Sequence, residues 1–188
     1  EANPIFYNVA VCPQCGFSYT EDFLPSFAPH TTERIQKMIV DNWTHRDFTG
    51  PRTIDDAIET YKLALLSARL KEEKPLPSAG LAARLAWLYR EKGDQTNEMR
   101  FLEVARDFYV ESFAQEDYIG TMMSETRVTY MIAELSWRIG DEDEAIRQFS
   151  RVIQNQEHST DPKIIDIARE RWQEIRELRE VSRLTTDQ

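Results

Sequence analysis

Cysteine and glycine are scarce in this chain of 188 residues, which holds two of the first and six of the second. Two cysteines cannot make a disulfide framework, so a small secreted scaffold held by several bridges is excluded. So few glycines, beside 11% aromatic residues, rule out a wholly disordered chain. Long apolar runs are missing too: nothing approaches the ~20 residues that span a bilayer, and no basic-then-apolar leader marks export. Basic residues are outnumbered, 23 against 33 acids, for a formal charge of -10. Arg and Lys are scattered among Glu and Asp without forming a stripe, and such a surface repels phosphate backbones and anionic lipid. Nucleic-acid and membrane partners are therefore not expected, whereas a reducing, cytoplasmic setting is. The length suits one domain, or one with a small appendage, and is enough to bury a core.

What is present divides near residue 30. Residues 1–30 hold both cysteines and four prolines, Pro4, Pro13, Pro25 and Pro29. "IFYNVAVC" alternates as a short strand would, leading into the cysteine turn. From residue 31 to 188 the texture is helical. "TTERIQKMIVDNW" puts Ile35, Met38, Ile39 and Trp43 on one face, with Thr31 or Thr32 as the cap. Thr53 caps "IDDAIETYKLALLSARLKEE", which "KPLPS" ends. "AGLAARLAWLYREK", "DQTNEMRFLEVARDFYVESF", "SETRVTYMIAELSWRI", "DEDEAIRQFSRVIQNQ" and "DPKIIDIARERWQEIRELRE" follow, which makes about seven helices and an all-α fold.

Two of the breaks are alike. Gly93-Asp94 and Gly140-Asp141 each separate two helical patterns; the glycine suits a left-handed helix end and the aspartate caps the next helix. Aligned on these glycines, Ala86 matches Ala133 and Tyr89 matches Ser136. A small-aromatic-small spacing also recurs, as Ala57-Tyr61-Ala64 and Ala145-Phe149-Val152. This pattern over roughly residues 31–180 resembles the tetratricopeptide repeat. The two glycines stand farther apart than the ~34 residues of a standard repeat, so the expected array of antiparallel helix pairs is irregular.

Cys12-Pro13-Gln14-Cys15-Gly16 has the spacing of a zinc knuckle. Two thiolates must converge on one ion at ~2.3 Å, and a tight turn achieves this. Gly16 lets the backbone curl so that amide N–H groups face the sulfurs. Cys12 and Cys15 are thus candidate zinc ligands, but they supply only half a shell, and His30, His45 and His158 do not stand at knuckle spacing. Other readings remain open: a Cys-Pro-x-Cys redox pair, two unmetallated thiols, or an ion shared between two copies. The redox motif works at a helix N-terminus in a βαβ unit, and no such unit follows here.

"NPIFYNVAVCPQCGF" followed by "GPRTIDDAIETYKLALLSA" resembles a bacterial family of uncharacterised proteins, filed under a domain-of-unknown-function label, with a zinc-knuckle head ahead of tetratricopeptide-like helices. The resemblance implies a second cysteine pair upstream of the Asn-Pro segment. On that expectation the remaining zinc ligands lie outside these residues. The resemblance implies no enzymatic activity.

Motifs that suggest chemistry elsewhere do not hold up. "HRD" at His45–Asp47 lacks the Gly-rich loop and the Asn of a kinase. "DEDE" at Asp141–Glu144 lacks the alternating ligands of a calcium loop and suits the positive end of a helix dipole. If the helices pair as expected, Arg84, Trp87, Arg90, Arg127, Tyr130, Glu134, Trp137 and Arg138 line a concave groove for a protein or peptide partner, since aromatics and arginines are the usual interface anchors. The alternative is that both tryptophans are core. The expected function is a protein–protein interaction scaffold with a structural zinc knuckle and no catalysis of its own; the alternative is a metal-dependent or thiol redox enzyme centred on Cys12 and Cys15. The sequence leaves the oligomeric state open.

Overall fold

The computed structural model describes residues 3–186, except the side chains of His158 and of the residues after Val181. The protein is all-α. Among the described residues, seven helices accompany one two-stranded sheet, and no helix is long and apolar enough to cross a membrane. The chain forms two compact units that divide between Phe108 and Tyr109.

The first unit opens on a single 3-10 turn, Pro4–Tyr7, and then a hairpin of β1 (Ala10–Val11) and β2 (Ser18–Tyr19), antiparallel with Val11 opposite Ser18. The strand expected from "IFYNVAVC" is therefore two residues long, because the Asn-Pro start favours a turn. Helix α1 (Pro29–Met38) begins earlier than predicted, with Pro29 in its first turn and Ala28 at the cap. Thr31 lies inside the helix, its hydroxyl donating to the Ala28 carbonyl at 2.7 Å. The helix also ends earlier. Asn42 donates its side-chain amide to the Lys37 carbonyl at 2.8 Å, satisfying a terminal carbonyl and turning the chain into a short 3-10 segment, Val40–Asn42. Ile35 and Ile39 are buried as expected, whereas Met38 is exposed, and Trp43 stands in extended backbone beyond the helix.

Helix α2 (Ile54–Lys71) has a complete capping box between Thr53 and Asp56. It is followed by α3 (Pro75–Lys92), whose first turn is the "PLPS" predicted to be a break; proline is tolerated there because the first-turn amides have no helical partner. Ala57, Tyr61 and Ala64 are fully buried. They face an alanine-rich α3, in which Ala79, Ala82, Ala83 and Ala86 are also buried, so two helices with little side-chain bulk at the seam approach closely. Helix α4 (Gln95–Gln115) starts in this unit, with Phe101 stacked on Tyr89 at 5.6 Å.

In the second unit α5 (Glu125–Arg138), α6 (Glu142–Gln154) and α7 (Pro162–Thr186) pack around Ala133, Ala145, Phe149, Val152, Ile165 and Ile175. Both predicted Gly-Asp breaks form. Gly93 and Gly140 take φ of 79° and 87°. In each case the glycine N–H reaches back three residues and the aspartate N–H five, to Arg90 and Tyr89 and to Trp137 and Ser136. This is the Schellman closure. Asp94 and Asp141 then accept from the amides of Asn97 and Glu144.

Candidate metal centre

The β1–β2 hairpin closes on the cysteine turn. The Cys12 N–H donates to Phe17 O at 2.9 Å, and the Gly16 N–H to Cys12 O at 2.8 Å. Gly16 has φ +76°, and a Cβ there would overlap the Trp43 ring. Trp43 is the plate beneath the turn; its indole N–H donates to Pro13 O at 2.9 Å, and His45 Nδ1 lies 3.2 Å from the same oxygen. Both cysteines are partly buried and free. Amide N–H groups of Cys15 and Gln14 point at the Cys12 sulfur, and that of Phe17 at the Cys15 sulfur. Hydrogen bonds from the Cys15 backbone and thiol pull the Cys12 thiol below its ordinary value. Burial pushes the Cys15 thiol up. This donor set fits two thiolate ligands of a soft or borderline cation such as zinc. Among the described residues no third His, Cys, Asp or Glu completes a group.

The turn is held on a framework. Arg52 donates through Nη1 to Phe6 O and Val9 O, each at 2.9 Å, and through Nε to Phe48 O at 3.0 Å. The Tyr61 hydroxyl donates to Ile5 O at 2.9 Å, and the Ser18 N–H to Ser67 Oγ at 3.0 Å. Farther along, Lys71 and Glu73 form an ion pair with both side chains buried. Lys71 Nζ also donates to Leu24 O at 2.6 Å, and Glu73 accepts from the Leu24 N–H at 3.1 Å. One charge pair thereby satisfies both backbone groups of one residue in the head.

The other sequence candidates are spread over both units. His30 pairs with Glu72 at 2.9 Å, and the side chain of His158 lies outside the described residues. Asp47 of "HRD" accepts from the amide and hydroxyl of Thr49, a local turn. Within "DEDE", Glu142 and Asp143 bind Arg179 at 2.9 and 2.8 Å. In the first unit, Trp87 is 41% exposed, Arg90 pairs with Glu98 at 2.5 Å, and Arg84 borders a cavity beside the head. In the second unit, Arg127 binds Asp161 at 3.1 Å, and Tyr130 and Trp137 pack against the core. Glu134 is buried between Arg138 at 2.7 Å and Arg171 at 3.1 Å. Sequence reasoning missed Trp43, Arg52 and the Lys71–Glu73 pair. Their partners are backbone atoms distant in sequence, which leave no local pattern; the one available signal was a glycine after the second cysteine that needed something flat against it.

No curated protein and no solved structure matches this chain. Residues 1–175 match the family described as an uncharacterized protein conserved in bacteria (DUF2225), and the chain belongs to that family.

Proposed function

We propose that the protein is a cytoplasmic interaction scaffold, in which tetratricopeptide-like helix pairs hold a protein or peptide and the Cys12–Cys15 turn is half of a structural zinc site. The observation that carries this reading is how the turn is fixed. Its sulfurs face backbone N–H donors, its glycine rests on Trp43, and Arg52, Tyr61 and Ser67 tie the head to α2. A rigid, hydrogen-bonded thiolate pair is what a structural metal needs. Cys12 and Cys15 would hold the ion, which would supply cross-linking between the hairpin and whatever carries the other ligands. The repeated Schellman closures and the buried small-aromatic-small triplets of α2 and α6 support the helix-pair register. Trp87, half-exposed on α3, is the open anchor for a partner.

Metal analysis of the protein purified from its native host tests the zinc half. About one tightly held zinc per cysteine quartet, lost in Cys12→Ser/Cys15→Ser, is expected. A metal-free dithiol that oxidises readily would overturn it in favour of redox chemistry. For the scaffold half, affinity capture is compared between the wild type and Trp87→Ala. An unchanged set of partners at unchanged folding stability removes the anchor.

A further inference from the structure

A cavity of about 350 Å³ lies beside the head in the first unit, bordered by Asn8, by Thr20, Glu21 and Asp22 after β2, and by Tyr61 and Arg84 of α2 and α3. That volume is within the range of small-molecule pockets, roughly 300–1,000 Å³. Arg84 is half-buried, yet its guanidinium makes no hydrogen bond and no ion pair among the described residues. A guanidinium carries five donors, which are open to a ligand that enters the cavity. It has been given room: a Cβ on Gly80 would stand 3.0 Å from Arg84 Nη1. Two carboxylates, Glu21 and Asp22, border the same cavity without bridging to Arg84. Tyr7, 44% exposed, adds an aromatic patch to the wall.

The cavity therefore presents a cation and two anions that do not neutralise one another directly. A phosphate would meet the acids, and a simple amine would meet the arginine. A small molecule with a carboxylate and an ammonium group a few bonds apart satisfies both ends. The geometry points to a pocket for a free α-amino acid with an apolar side chain, its carboxylate on Arg84, its ammonium toward Glu21 and Asp22, and its side chain toward the half-exposed Tyr7 ring. This site needs neither cysteine and does not depend on the zinc reading.

Calorimetric titration of the whole chain with L-leucine and L-phenylalanine is the test. Saturable binding of at least one, with Kd below about 1 mM, is expected. Leucinamide and N-acetyl-leucine, each missing one charge, are expected to bind at least about tenfold more weakly, as is L-leucine to Arg84→Gln. Should Arg84→Gln fail to fold, the exposed pair Glu21→Gln/Asp22→Asn gives the same comparison from the ammonium side. Absence of saturable heat with both amino acids overturns the proposal. So does N-acetyl-leucine or inorganic phosphate binding as tightly as L-leucine, or undiminished binding in a folded variant.

Discussion

Gly16 stands at φ +76° with the Trp43 ring where its side chain would be. Two costs add at this one residue: a left-handed conformation, about 1–2 kcal/mol for an L-residue, and displacement of a packed indole. Gly16→Ala is accordingly expected to destabilise the first unit by more than about 2 kcal/mol. The measurement is the denaturant midpoint of unfolding. Gly93→Ala makes the contrast, because nothing lies within 4 Å of a Cβ there; it carries the conformational cost alone. A Gly16→Ala variant no worse than Gly93→Ala would mean that Trp43 does not support the turn. The cysteines and the glycine were legible because Cys-x-x-Cys-Gly is a recognisable local spacing, the one a metal knuckle uses. The tryptophan was not, since its neighbours on α1 share its periodicity and a helix-face reading absorbed it.

Helix ends show where local chemistry could and could not be read. The Gly93 and Gly140 closures were visible because glycine is the residue that adopts φ > 0 at no cost. Two more closures of the same kind follow α2 and α4, with Glu72 and Glu116 at φ of 60° and 54°. A glutamate gives no such signal. Glu72 has a reason to be there, for its carboxylate binds Arg34 at 2.6 Å and His30 at 2.9 Å. Glu116 has no comparable ion pair among the described residues; its N–H, donating to Phe113 O at 3.4 Å, and the Asp117 N–H, donating to Ser112 O at 3.3 Å, close the turn. Glu116→Gly is thus expected to stabilise the protein by about 0.5–1 kcal/mol, read as a rise in thermal midpoint, while Glu72→Gly gains less because it also breaks two pairs. A fall in midpoint for Glu116→Gly would show that the glutamate side chain contributes more than its backbone strain costs. The seven helices themselves were legible from apolar periodicity; their starts at Pro29 and Pro75 were misread because proline serves as a breaker inside a helix but is welcome in its first turn.

Across the whole molecule, acids are engaged in helix caps and in pairs between elements, and both kinds of contact contribute to the pH response. The Thr53 hydroxyl and amide hold Asp56 below the ordinary carboxylate range, and the Ser124 hydroxyl, then Arg127, do the same for Asp161. Each depressed carboxyl contributes stability that is complete above the unfolded value of about 3.9 and is lost as pH falls through the folded value. Denaturant midpoints measured from neutrality into acid should therefore fall below about pH 4, and Asp161→Asn should lower the neutral midpoint while shrinking that acid limb. The Lys71–Glu73 pair is a link of another kind, with both side chains out of water. Removing one member leaves the other charge buried, which costs about 3–5 kcal/mol. Lys71→Met is expected to cost that much and to speed hydrogen exchange at the Leu24 amide, which donates to Glu73. Adding Glu73→Gln to Lys71→Met should recover part of the loss, because the orphaned charge is gone while an acceptor for Leu24 remains. If the double variant is less stable than Lys71→Met alone and Leu24 exchange is unchanged in both, the pair does not fasten the head to α2.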